Sequence, residues 1–140
     1  MDKYIFLAHT ADFKFKAFGE SLEEAFVNSV LALTDIVVEQ KDVEPVRQRE
    51  ISVVSESKES LLYDFLEKIL LMIDTDHFII ASVDSLMIEK KQDYELKATV
   101  SGDLGIEKYG YKRAIKAITY NDMVIDEKPN NVTIQVVVDL

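Results

Sequence analysis

Two aspartates near opposite ends of the sequence could build a site together. Asp12 directly follows His9-Thr10-Ala11, and Asp139 is the penultimate residue. Near the C-terminus Val132, Ile134, Val136, Val138 and Leu140 alternate with other residues, so a strand here turns them to the core and sets Asp139 on the other face with Thr133 and Gln135. If the first and last strands are neighbours, Asp12, Asp139 and the Leu140 α-carboxylate converge. Three negative oxygen groups in close quarters call for a hard cation, Ca²⁺ or Mg²⁺, which takes carboxylate, carbonyl and water oxygens. The alternative is that the two carboxylates are unrelated surface groups.

A second constellation is cationic. Lys108, Lys112, Arg113 and Lys116 follow one another with no acid among them, in a chain whose 16 basic and 26 acidic residues leave a formal charge of -10. This local inversion suits an anionic partner, a phosphate or the acidic site itself, or else it is a solvated loop. Read as a strand, the segment buries Ile115, Ala117 and Thr119 and sets Lys116 on the other face with Ile118 and Tyr120. Of the two histidines, His77 falls in the exit turn of a helix, where a capping role is expected. His9 caps the turn with Thr10 or supports Asp12. Asp64 lies on the polar face of a helix, where it can pair with Lys68 one turn on.

Other chemistries are excluded. The sequence has no cysteine, which removes disulfides, zinc thiolates, iron–sulfur ligation and a thiol nucleophile. There is no P-loop, no GxGxxG, no His-x-x-x-His spacing and no Ser-His-Asp order. An acidic chain lacks the basic surface an autonomous nucleic-acid binder uses, so tight direct binding of nucleic acid is not expected. No apolar run approaches the roughly 20 residues a bilayer requires, and no basic start precedes an apolar stretch, so no membrane association and a cytoplasmic location are expected.

The elements that must position these groups follow from periodicity. Ile5 and Leu7, then Phe13, Phe15 and Ala17, alternate as two strands around His9-Thr10-Ala11. Ser21-Leu22-Glu23-Glu24 reads as a capping box, and Leu22, Ala25, Phe26, Val30 and Leu33 form one stripe of a helix ending near Thr34 or Asp35. A short strand is expected at Ile51 to Val54. A second helix starts near Ser57 with a broad stripe, Leu61, Leu62, Phe65, Leu66, Ile69, Leu70 and Ile73. Strands are then expected at Phe78 to Glu89, Tyr94 to Val100, Ile115 to Val124 and Val132 to Asp139. The expected fold is α+β, one domain over residues 1–140, with a largely antiparallel or mixed β-sheet of about seven strands and two helices packed on one face.

Several blocks carry a family resemblance. His9-Thr10-Ala11-Asp12, Ala17-Phe18-Gly19 and Ser21-Leu22-Glu23-Glu24-Ala25-Phe26 resemble the opening of the archease family. Leu61-Leu62-Tyr63-Asp64-Phe65-Leu66, Asp74-Thr75-Asp76, Leu96-Lys97-Ala98-Thr99-Val100, Ile115-Lys116-Ala117-Ile118-Thr119-Tyr120 and Val136-Val137-Val138-Asp139-Leu140 follow the same order. Asn121 departs from it, standing where many members carry histidine, and the segment from Gly102 to Gly110 matches weakly. The resemblance implies an accessory protein, not itself an enzyme, for the RtcB-type tRNA-splicing RNA ligase. Such a protein would promote guanylylation of the ligase and its repeated turnover. It also implies a metal site at Asp12, Asp139 and Leu140, for Ca²⁺ with Mg²⁺ or another divalent ion as the alternative. Lys116 is implied as the functional lysine, with His9 and Asp64 as further candidates for ligase activation. Two rival readings are a stand-alone metal-dependent phosphoesterase and a chaperone-like binding module.

Overall fold

A computed structural model describes residues 2–8 and 12–140. Helix α1 (Leu22–Val37) starts where the capping box places it: Ser21 Oγ accepts from the Glu24 N–H at 3.1 Å, and Glu24 reaches back to the Glu20 N–H at 3.2 Å. Its expected stripe is buried, extended by Ala32, Ile36 and Val37, but so are Leu31, Asn28 and Thr34 on other sides. The buried hydroxyls of Ser29 and Thr34 donate to the Ala25 and Val30 carbonyls one turn back, which satisfies polar groups that have no route to water. A helix apolar over most of its circumference needs cover on more than one side. Helix α2 (Lys58–Asp76) is capped by Ser57 and Ser60 and buries the seven-residue stripe read from the sequence. His77 ends it in the left-handed region (φ 54), its N–H donating to the Ile73 carbonyl, as the expected capping role requires.

The strands are β1 (Tyr4–Ala8), β2 (Asp12–Gly19), β3 (Arg47–Ser55), β4 (Phe78–Lys90), β5 (Tyr94–Leu104), β6 (Ala117–Ile118), β7 (Val124–Lys128) and β8 (Asn131–Asp139). The α+β class, the two helices and the antiparallel pairing are as expected; among the described residues the strands number eight and divide between two sheets. One sheet runs β1-β2-β8, with β6 and β7 sharing the far edge of β8, and the other runs β3-β5-β4. Both helices lie against one face of each sheet, α1 meeting β2, β8 and β4, and α2 meeting β3, β4, β5, β6 and β7. The helices are thus the middle layer. Phe26 and Phe65 stack across it with ring centroids 6.2 Å apart. Phe15 and Phe78, also fully buried, close it from the two sheets, each worth about 1.5–3 kcal/mol of burial.

The strand expected over Ile115 to Val124 does not form as one element. Ala117 and Ile118 pair with β8, and Val124 does so again only as the start of β7; Ile118 is buried together with Ile115 while Lys116 between them is exposed. Two core residues three apart cannot come from an extended chain, so Ile118 faces the core and does not share Lys116's side. The chain then turns through Asp122 (φ 53) and returns as β7, which meets β8 across the Pro129-Asn130 turn (Asn130 φ 57).

Candidate functional site

Strands β2 and β8 pair antiparallel along their length, and their last pair is Asp12 opposite Asp139. Directly opposed residues share a sheet face with Cβ atoms about 4.5–5.5 Å apart. The neighbouring pair, Phe13 opposite Val138, points to the helices, so the two carboxylates occupy the outer face. Asp139 is also the partner of Ala117 in β6, and the Lys116 N–H donates to the Asp139 carbonyl at 2.8 Å. The backbone therefore holds Asp12, Asp139 and Lys116 at one end of one sheet, with Leu140 the next residue along. Asp139 and Lys116 are exposed, and Asp12 is half-buried.

Asp12 carries an unmet demand. Its Oδ1 is buried and has no hydrogen-bond partner among the described residues, whereas buried polar atoms in folded proteins are nearly always paired. A buried carboxylate oxygen beside a second carboxylate is a donor set that a hard cation can satisfy. Among the described residues no group of three or more His, Cys, Asp or Glu side chains forms a metal cluster. An ion here would accordingly draw on two carboxylates and complete its shell with backbone oxygens and water, a mixture that Ca²⁺ and Mg²⁺ accept. On this test the residues fit a divalent ion.

The cationic run separates into four roles. Lys108 lies 3.4 Å from Asp103, a carboxylate that also accepts from the Tyr109 hydroxyl and the Leu104 N–H. The Tyr109 hydroxyl, chiefly, holds Asp103 below the usual carboxylate range, against the opposing effect of burial. Lys112 donates to the Asp35 carbonyl at 2.9 Å and pairs with the Asp35 and Glu39 carboxylates, while its N–H bonds the Val37 carbonyl. Arg113 lies over the Phe13 ring at 5.0 Å. Lys116, alone of the four, has neither an ion pair nor a ring contact among the described residues. Residues 103–116 thus form a strap clipped to the end of α1, and it delivers Lys116 to the aspartate pair with its ammonium unspent.

Asp64 stands apart from this group: its carboxylate accepts from Ser55 Oγ at 2.6 Å, at the end of β3, in place of the expected pairing with Lys68. His9 lies outside the described residues. A cavity of about 780 Å³ lined by Ile5, Phe18, Asn28 and Thr133 lies at the opposite end of β2 and β8, where Phe18 pairs with Thr133, away from the carboxylates. Two features escaped sequence reasoning. Thr119 donates both its N–H (3.2 Å) and its hydroxyl (2.8 Å) to the Val137 carbonyl, and that hydroxyl accepts from the Asn121 N–H. This clip holds the short β6 in register and ends it, and the polar pair Asn121-Asp122 just after it is the turn signal that could have revealed the break. The other is the stacked pair Tyr63 and Tyr120, 4.3 Å apart and 8° from parallel, which joins α2 to the segment after β6.

Comparison with known proteins finds similarity along nearly the whole chain. The family description "archease protein family" matches residues 4–140. The archease of Thermococcus kodakarensis is 40% identical over 131 residues, covering 93% of this chain and 92% of that protein. The archease of Methanosarcina mazei is 35% identical over 140 residues, covering 99% and 96%. Protein 1598 of Methanobacterium thermoautotrophicum, solved in solution, superposes with a TM-score of 0.85 at 31% identity over 100% of both chains. An archease from Thermotoga maritima, described as a possible chaperone, shares the fold with a TM-score of 0.61 at 23% identity over 96% of this chain and 94% of that one.

Proposed function

The chain belongs to the archease family, and on that premise we propose that it is an accessory protein of an RtcB-type RNA ligase, promoting guanylylation of the ligase and its repeated turnover. The observation that carries this reading is the sheet end at which Asp12 opposes Asp139 and Lys116 is tied to the Asp139 carbonyl. Nucleotidyl transfer to a ligase side chain needs phosphate charge neutralised and the reacting groups placed, which is work for cations held in fixed positions. Asp12, Asp139 and an oxygen of Leu140 would hold a divalent ion, Ca²⁺ first, which when bound supplies positive charge suited to phosphate oxygens. Lys116 presents an exposed ammonium from a backbone fixed on both sides by buried Ile115 and Ile118. It donates to a phosphate or carboxylate of the ligase, a charge-assisted contact stronger than a neutral one. Asp64, held by Ser55, contributes from the α2 side.

The test is transfer of labelled guanylate from GTP to the cognate ligase, with and without this protein. The expected result is faster labelling of the ligase and no labelling of this chain. An unchanged rate overturns the proposal. Protection of unrelated clients from aggregation, with no effect on the ligase, would establish the chaperone reading instead.

A further inference from the structure

Tyr120 leaves 53% of its surface exposed although its ring is stacked on Tyr63. A tyrosine pinned flat by a second tyrosine has already lost its rotamer freedom, so a partner can cover its open surface at little further entropic cost. The surroundings are acidic. Asp64 adjoins Tyr63 on α2 and Glu67 lies one turn beyond it, and burial first, then these carboxylates, push both phenols above their ordinary value. Among the described residues no lysine or arginine pairs with Asp64 or Glu67. The Asp64 carboxylate is held in place by the Ser55 hydroxyl, which donates to it at 2.6 Å. An aromatic face rimmed by unneutralised carboxylates is complementary to a guanidinium or ammonium group: the ring quadrupole attracts the cation, and the carboxylates accept its N–H groups. Arginine and tyrosine are also the residues on which protein interfaces concentrate their energy. A nucleic-acid strand would stack a base on Tyr120 but bring its phosphates against Asp64 and Glu67.

We propose that the stacked Tyr63–Tyr120 pair with Asp64 and Glu67 is a docking surface for an arginine-bearing segment of a protein partner. Tyr120 is four residues beyond Lys116 on the same clipped segment, so a partner engaged at the aspartate–lysine site meets this surface at the same time. The inference rests on the ligase reading above for the partner's identity, but not for the chemistry of the surface.

Two measurements test it. In the first, NMR of the whole protein follows the Tyr63 and Tyr120 ring signals on adding a tri-arginine peptide or, separately, a short uridine oligonucleotide. Ring shifts with the peptide and not the oligonucleotide support the proposal; shifts with the oligonucleotide, or with neither, overturn it. In the second, affinity for the cognate ligase is measured for Tyr120→Ala, Tyr120→Phe and Glu67→Gln at two salt concentrations. Tyr120→Ala should weaken binding about tenfold or more, Tyr120→Phe should remain within about twofold, and Glu67→Gln should weaken it with a smaller salt dependence. Equal affinity of Tyr120→Ala and wild type overturns the proposal. If wild type does not bind the ligase at all, the functional reading fails and the peptide titration still decides the docking chemistry.

Discussion

Replacing Asp12 by asparagine should invert the order of two melting temperatures. Asp12 opposes Asp139 on one face, and two like charges about 5 Å apart repel by about 1 kcal/mol in a water-like dielectric and about 3 kcal/mol at an effective value of 20. Because Asp139 is exposed, the lower figure applies. Asparagine has the same shape, removes the repulsion and offers an amide N–H to Asp139. With chelator present, Asp12→Asn should therefore be about 1 kcal/mol more stable than wild type, about 3 °C in Tm for a domain of this size. With Ca²⁺ at about a hundred times its dissociation constant, wild type should gain about 2.7 kcal/mol, or about 8 °C, and the variant nothing. Differential scanning calorimetry in chelator and in Ca²⁺ reads both numbers. Equal Ca²⁺-dependent gains in the two proteins would mean that Asp12 holds no ion, and a variant clearly less stable than wild type in chelator would mean that the two carboxylates do not repel.

Lys116→Ala should change stability by no more than about 0.5 kcal/mol by urea melting, since its side chain is exposed, yet lower ligase guanylylation about tenfold. Lys116→Arg should restore that only in part, because a planar fork does not reproduce a point ammonium. Gly102→Ala should cost about 3 kcal/mol in the same melts, because a Cβ there would sit 1.9 Å from the Ile79 carbonyl oxygen, a backbone atom with no freedom to retreat. Asp103 is held below the usual carboxylate range chiefly by the Tyr109 hydroxyl. The strap's added stability should be complete above the unfolded carboxylate value near pH 4 and disappear as pH falls through the folded value. Asp103→Asn should abolish that acid dependence, measured by hydrogen exchange of the Glu39 and Lys112 amides, which bond the Tyr109 and Val37 carbonyls across the strap.

Where hydrophobic period and capping chemistry coincide, the sequence was legible. Ser21 and Ser57 mark both helix starts, the stripes from Leu22 and Leu61 mark their buried faces, and the alternation from Val132 to Val138 marks β8. The aspartate pair was legible because alternation fixes which face a residue takes, and one assumption, that the first and last strands adjoin, supplied the rest. What was not legible is pairing. Alternation does not say which strand lies beside which, so the division into two sheets around the helices appears only in the buried side of α1 that the single stripe omits, where Leu31 lies. Strand β7 was hidden because it is an edge strand held by backbone bonds, with Ile125 half-buried and its neighbours Val124, Asp126 and Glu127 exposed. The Lys116 region misled for the opposite reason. An apolar run at Ile115, Ala117 and Ile118 imitates a long strand, while Thr119 and Asp122 confine the strand to two residues.

The most direct measurement is multiple-turnover ligation of RNA by the cognate ligase in limiting amount, with this protein, without it, and with Asp12→Asn or Lys116→Ala in its place. Wild type should give more than one ligated product per ligase molecule, and the reactions without it or with either variant close to one. Equal yields in all four reactions would contradict the ligase reading.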